Sequence, residues 1–259
     1  MKIVVLVKQV PDSGAERSLR ADDNTVERAS ANNVINEMDE YALEEALRLA
    51  EAHGGEVTVL TMGPDKATDS IRKALAMGAD KAVHLSDDAL AGSDALQTSY
   101  ALAKALETLE YDLVICGSEA TDSRMSVMAA LLAERTGKPQ LSGARKVTVD
   151  GGTIRIERQN ENGYDVVEAS APAIVSVVEK INEPRYPSFK GIMAAKSKPL
   201  TTLTLADAGI EADKVGLGSA PSQVVEFSNK PPRQAGQIVK DEGDGGAKVA
   251  EFLASQKFI

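Results

Sequence analysis

The stretch Leu113-Val114-Ile115-Cys116-Gly117-Ser118-Glu119-Ala120-Thr121-Asp122-Ser123 runs from four apolar residues through a glycine into small polar ones. Such a step reads as a buried strand that ends at Gly117 and opens a helix, with Thr121, Asp122 and Ser123 able to cap it. Outward from it, short runs rich in β-branched residues recur at Ile3–Val7, Val57–Thr61, Ala82–Leu85 and Ile174–Val178. Segments with helical period lie between them. In Asp39–Ala52 the apolar residues Leu43, Ala46, Leu47 and Ala50 share one face, while Glu44, Glu45, Arg48 and Glu51 share the other. Thr68–Met77 and Ala95–Leu109 behave alike, and Gly78 stands where a helix C-terminus favours glycine. Near-continuous apolar strands alternating with helices predict a doubly wound α/β fold, a mostly parallel sheet flanked by helices.

After Pro139 the pattern changes. Lys146–Val149 and Thr153–Arg158 flank Asp150-Gly151-Gly152, the signature of a β-hairpin, and Tyr164–Glu168 reads as a third strand. From Pro199 the strand–helix rhythm is lost, and residues 208–246 are rich in Gly, Pro, Ser and Asp. That stretch is either a disordered tail or an arm that orders on a partner. It ends in an amphipathic segment, Ala247–Ile259, carrying Val249, Phe252, Leu253 and Phe258. A tail bound for solvent has little reason to end so, and a docking arm is the reading adopted. The division is therefore residues 1–199 as the α/β domain and 200–259 as the arm.

Composition excludes several functions. The net charge of −10 argues against nucleic acid, whose phosphates need a clustered basic surface. One cysteine, Cys116, and two histidines, His53 and His84, leave no disulfide framework, cysteine-based cluster or histidine metal site. No window approaches the length of a membrane span, and Met1–Asp12 has a short apolar run without a cleavage site. A bacterial cytoplasmic setting is expected.

In an open α/β sheet, ligands bind at the carboxyl ends of the strands. Four segments fall there: Lys8–Ser13, Ile35–Asp39, Thr61–Asp65 and Cys116–Met125. In the last, Gly117 lets backbone approach closely and the polar residues after it suit a phosphate, although ordinary helix capping uses the same residue types. No GxGxxG follows the first strand, no Walker loop exists, and Gly216-Leu217-Gly218-Ser219 lies in the irregular region. No acid–base pair stands out. Cys116 reads as an inert buried thiol, His84 as a packed strand residue, and Asp39-Glu40 and Glu44-Glu45 as a solvated helix face.

One further segment is unusual. Residues 179–196 contain Pro184 and Pro187 and gather Tyr186, Phe189, Ile192 and Met193 in a chain with only four Phe, five Tyr and no Trp. A stiffened loop with apolar side chains at its tip suits protein contact; equally, those side chains could fold back onto the core.

Taken together, these segments resemble the electron transfer flavoprotein beta subunits. The similarity lies in Asn182-Glu183-Pro184-Arg185-Tyr186 with Ile192-Met193-Ala194-Ala195-Lys196, in Val7–Asp12, in Ile35–Ala46, in Ile71–Asp80, and in Pro231-Pro232-Arg233-Gln234-Ala235-Gly236. It runs nearly end to end in order and spacing. The resemblance implies an adenine nucleotide alpha hydrolase-like fold and a heterodimer with a larger alpha subunit that holds the redox-active FAD. It implies a buried AMP, replaced by a second FAD in electron-bifurcating relatives. It also implies electron flow in fatty acid oxidation, from acyl-CoA and related dehydrogenases to a quinone oxidoreductase, with no catalytic residue on this subunit. AMP contacts then fall on Leu6, Asn36, Glu37, Met38, Asp39, Met62 and the loop from Ala120 to about Leu131: Ala120, Thr121, Asp122, Ser123, Arg124, Met125, Ser126 and Val127. Gly117 joins them from the sheet-edge argument. The docking loop falls on 183–196, with Arg185, Tyr186, Phe189, Ile192 and Met193 facing partners and Phe189 as the anchor. The sequence departs from the family pattern at Met125-Ser126-Val127-Met128-Ala129, where many members have Gln-x-Gly, and at Met38, where many have Phe. Outside this family, a stand-alone adenine-nucleotide-binding module resembling universal stress proteins would share the sheet-edge logic but not the arm or the Phe189 loop.

Overall fold

The Val- and Ile-rich runs pair into one nine-stranded sheet. In the computed structural model, which describes residues 1–259 except Gln234, Ala235 and Gln237, the strands are β1 (Lys2–Leu6), β4 (Glu56–Met62), β5 (Lys81–Leu85), β6 (Leu113–Gly117), β7 (Gln140–Asp150), β8 (Thr153–Asn160), β9 (Gly163–Ser170), β10 (Ala173–Val177) and β11 (Leu200–Leu203). Their order is β11-β5-β4-β1-β6-β10-β7-β8-β9, and a separate ribbon joins β2 (Gln9–Pro11) to β3 (Asn33–Ile35). The seven strands from β11 to β7 are parallel, and β8 and β9 add antiparallel edges. From β1 the chain moves outward to β4 and β5, then returns to place β6 on the other side of β1. This reversal sets a topological switch point between the carboxyl ends of β1 and β6, where doubly wound sheets take their ligands.

Helices cover both faces because both faces of the parallel strands are apolar. On one, Ile3, Val5, Val57, Val59, Leu113 and Ile115 pack against α1 (Glu37–His53) and α2 (Thr68–Met77). On the other, Val4, Leu6, Leu60, Val83 and Val114 pack against α3 (Ala95–Glu107) and α4 (Met128–Thr136). The predicted hairpin and third strand are β7, β8 and β9. Between β10 and β11 the short α5 (Phe189–Ala195) lies against α2.

Three sequence expectations change here. The helix read as opening at Thr121–Ser123 begins only at Met128, so those residues form a turn and do not cap it. The face read as solvated is partly interior: Asp39, Glu44 and Glu45 are buried, because the β1 exit and the segment after β10 cover them. The loss of rhythm read at Pro199 precedes the end of the compact unit, which runs from Met1 to Val225. Leu200–Leu203 pairs in parallel with β5, and Leu205, Ala208, Ile210 and Val215 then join the core on the α3–α4 face.

Glu226–Ile259 forms a second, smaller unit. Its helix α6 (Gly245–Ser255) opens where the Asp241 carboxylate accepts from the Gly243 and Gly245 N–H groups, both at 2.8 Å. Of the run Pro231–Gly236 that carried part of the resemblance, Gln234 and Ala235 lie outside the described residues.

Candidate functional site

At the carboxyl edge the N-terminus of α1 meets the exits of β1 and β6. The contact is close: a Cβ on Gly117 would lie 2.5 Å from Met38 Cβ and 2.8 Å from Asp39 Oδ1. Gly117 is therefore required first by the helix, before any ligand. Asn36 occupies the N-cap position of α1, yet its side chain does not cap the helix. It bridges to the loop after β6 instead, its Oδ1 accepting from Thr121 N–H at 3.0 Å and its Nδ2 donating to Glu119 O at 2.9 Å. Asp39 accepts from Lys8 N–H at 2.8 Å. Burial pushes its carboxyl up to about 7, against the opposing pull of hydrogen bonds from Lys8, Asn36 and Gly117.

The loop Ser118–Val127 carries the next layer. The Asp122 side chain is almost fully enclosed between Lys8 Nζ at 2.8 Å and Arg28 Nη2 at 2.5 Å. Burial would raise its pKa, but the two cations outweigh this and hold it below the usual carboxylate range. Lys8 is lowered by the same burial, partly offset by Asp122. Arg17 donates from Nη1 to Thr121 O at 2.5 Å, while its buried Nε and Nη2 have no hydrogen-bond acceptor. Arg124 and Ser126 take left-handed backbone conformations with φ of 49° and 55°, which bend the loop. Two cations on one carboxylate, with Arg17 on the neighbouring Thr121 carbonyl, form a setting that favours an anion.

Of the residues expected at a nucleotide, Asn36, Asp39, Gly117 and Thr121 are buried and mutually bonded or in contact. Leu6 packs with Met62 on the α3–α4 side of the same edge. Glu37 faces outward and accepts from Ser13 Oγ at 3.0 Å, and Met38 packs over Gly117. Ala120 is half-buried and receives the Ser123 and Arg124 N–H groups on its carbonyl. Ser123, Arg124, Met125 and Ser126 are exposed, and Val127 is half-buried. Sequence reading did not single out Arg17 or Arg28. Both lie in the excursion between β2 and β3, and only tertiary folding brings Arg28 to Asp122 and Arg17 to the Thr121 carbonyl.

The loop after β10 is a second cluster, separate from this edge. Tyr186 is 93% exposed and Phe189 81% exposed, with Ile192 and Met193 about half exposed beside them. These side chains do not fold back onto the core. Arg185, expected to face partners, turns inward and binds Glu44 and Glu51. Cys116 is buried, and desolvation pushes its thiol up to about 12, so it is not a nucleophile near neutral pH. His84 is buried with Nε2 bonded to Gly63 O at 2.9 Å. Among the described residues no His, Cys, Asp and Glu group is arranged to hold a metal ion, and no helix is long and apolar enough to cross a membrane.

A parallel sheet whose strand order reverses between β1 and β6 defines a doubly wound α/β protein, the class that binds ligands at this point. The electron transfer flavoprotein domain family model matches residues 23–208. The chain is 52% identical over 263 residues to the electron transfer flavoprotein subunit beta of Mycobacterium tuberculosis, covering 99% of each chain. It is 39% identical over 271 residues to that of Megasphaera elsdenii, covering 100% of each. It is also 34% identical over 258 residues to CarD, a subunit of the caffeyl-CoA reductase-Etf complex of Acetobacterium woodii, covering 99% of this chain and 97% of that one. The chain belongs to the electron transfer flavoprotein family, among its beta subunits. Membership brings a flavin-linked electron-transfer role and an alpha-subunit partner.

Proposed function

We propose that this chain is the nucleotide-holding and docking half of a heterodimeric electron carrier, itself without catalytic residues. The observation that carries the nucleotide reading is the strand-order reversal between β1 and β6, where Asn36 ties α1 to the loop Ser118–Val127. The residues fit an AMP there: the orphaned Nε and Nη2 of Arg17 offer unspent donors to a phosphate. Asn36–Asp39, Leu6, Met62 and the loop from Ala120 to Val127 would hold it. The AMP is structural in this reading; the FAD on the alpha subunit supplies the redox chemistry when bound. This subunit's residues position and exclude, which requires neither an acid–base pair nor a nucleophile.

Electrons would arrive from acyl-CoA and related flavoprotein dehydrogenases, captured at Tyr186, Phe189, Ile192 and Met193, and leave toward a quinone oxidoreductase. The unit Glu226–Ile259, with Val249, Phe252 and Phe258 exposed, would clamp the alpha subunit. A cytoplasmic setting accords with a carrier that moves between dehydrogenases and a membrane-bound acceptor. A second reading keeps the fold but places a second FAD in the AMP position, as in bifurcating assemblies. It is favoured by the similarity to a protein named as part of a reductase complex.

The test is the nucleotide released from the heterodimer after co-expression with its alpha subunit, quantified chromatographically. One FAD and one AMP per dimer is the expected result, and two FAD would establish the second reading. A dimer carrying one FAD and nothing else would remove the nucleotide role from this chain. Isolation of the chain as a stable nucleotide-bound monomer indifferent to the alpha subunit would favour a stand-alone binding module.

A further inference from the structure

The docking loop is held from beneath by charges that surface docking does not require. The Glu44 side chain is only 4% exposed, and a carboxylate so placed needs compensation. Burial tends to raise its pKa, yet its cationic partners bring it below the ordinary value. Arg48 supplies one contact from within α1, Nε to Oε1 at 2.9 Å. Arg185 supplies the rest. Its Nε donates to Oε2 at 2.7 Å and its Nη2 to Oε1 at 3.1 Å, the side-on fork that only a guanidinium can make, and its own backbone N–H donates to Oε2 at 3.2 Å. The same guanidinium reaches Glu51 Oε1 and Oε2 at 2.5 and 3.2 Å. One residue thus fixes both the side chain and the main chain of the loop to two positions on α1.

Further ties hold both ends. Asn182 Nδ2 donates to Tyr41 O and to Glu45 Oε2, each at 3.0 Å. Arg72 Nη1 donates to Ala195 O at 2.6 Å, and Lys198 Nζ donates to Leu75 O at 2.9 Å and Ala79 O at 2.6 Å. A Cβ on Gly191 would lie 2.3 Å from Ala76 O, so α5 rests directly on α2. Only Tyr186, Pro187 and Ser188 separate Arg185 from α5. The exposed apolar side chains therefore stand on a segment clamped on both sides.

We propose that Arg185 is a positioning residue: its fork onto Glu44 and Glu51 orders the segment 185–195 before any partner arrives, so that docking does not bear the cost of ordering it. The proposal rests on the docking role given above to Phe189 and its neighbours. Loss of the latch weakens capture while leaving the electron-transfer step itself unaltered.

The experiment uses the heterodimer with its alpha subunit and the variants Arg185→Ala, Arg185→Lys and Glu51→Gln. Amide hydrogen exchange across 183–196 is read without any dehydrogenase present, and KM and kcat are read with an acyl-CoA dehydrogenase as donor. In Arg185→Ala, exchange in 185–195 is expected to accelerate about tenfold and KM for the carrier to rise about tenfold with kcat held, each equal to roughly 1.4 kcal/mol. Arg185→Lys should fall between, since an ammonium keeps the charge but not the fork. Should Arg185→Ala fail to yield soluble dimer, Glu51→Gln, which removes only the outer half, is expected to give a smaller acceleration in the same segment. Unchanged exchange in these variants overturns the latch, as does faster exchange with KM unmoved while Phe189→Ala raises KM. If Phe189→Ala also leaves KM unmoved, the docking role fails, and the exchange result alone then decides whether Arg185 orders the loop.

Discussion

At Gly117 the absence of one carbon sets how closely α1 approaches β6. Replacing Gly117 with Ala places a methyl 2.5 Å from Met38 Cβ and 2.7 Å from the Met38 carbonyl carbon. Backbone cannot swing away as a side-chain end can, so the helix must shift. Overpacking of this kind costs about 1–3 kcal/mol, and denaturant unfolding of Gly117→Ala against the parent should show that loss. A shifted α1 also moves Asn36 and Asp39, so nucleotide retention should fall with stability. Asp39 gives a prediction in pH. Its carboxyl titrates near 7 in the folded chain and near 3.9 unfolded, so between those values the folded state holds a proton that the unfolded state has released. Its contribution to stability is fully present below about pH 4 and is lost as pH rises through about 7. Buried Glu45 is raised as well, while Glu44 and Asp122 are lowered and act in the opposite direction, so the total profile mixes signs. Comparison with Asp39→Asn isolates the term: unfolding free energy of the parent minus that of the variant should fall between pH 5 and pH 7. A difference that is flat or rising would mean the Asp39 carboxylate is ionised throughout.

The elements were legible wherever burial imposed a period. β1, β4, β5, β6 and β10 are apolar enough to show themselves, and the glycine turn at Gly151-Gly152 marks the hairpin, while the polar half of β7, residues 140–145, does not show itself. The exit of β6 was misread because small polar residues serve a turn as well as a helix cap. Asp122 is spent on Lys8 and Arg28, which no local pattern announces. The acidic face of α1 was misread for the same reason. Glu44 and Glu45 are four and five residues into an otherwise ordinary amphipathic pattern counted from Glu40, and only the return of residues 182–185 from the far side of β10 buries them. Likewise β11 is an edge strand of four residues, and the apolar residues that follow it contact the core singly, without period. The edge proposed to hold a nucleotide was visible as four segments at the strand ends. What the sequence concealed was the long-range pairing that gives those segments their charge and shape.

At the scale of the whole chain, the core and the tail have different physical needs. Every residue of the two buried clusters lies between Ile3 and Val215, within the unit Met1–Val225. Among the described residues the unit Glu226–Ile259 contributes no buried apolar side chain, and its α6 spans 11 residues, short of what an isolated helix needs to be stable in water. Val249, Phe252, Phe258 and Ile259 stay exposed along it, an arrangement that repays its cost only when a partner covers them. The clamp proposed above would give them that cover on the alpha subunit. A chain ending at Val225 should therefore unfold with nearly the parent midpoint, because no core residue is removed. Co-expressed with a tagged alpha subunit, however, it should fail to co-purify or dissociate on dilution, since the apolar anchors are gone. Two measurements check this, a thermal melt of the truncated chain and the subunit ratio after affinity purification. Recovery of a one-to-one dimer would move the interface onto the α/β unit and leave the tail without a clamping role. A large drop in midpoint would instead show that the tail stabilises the chain that bears it.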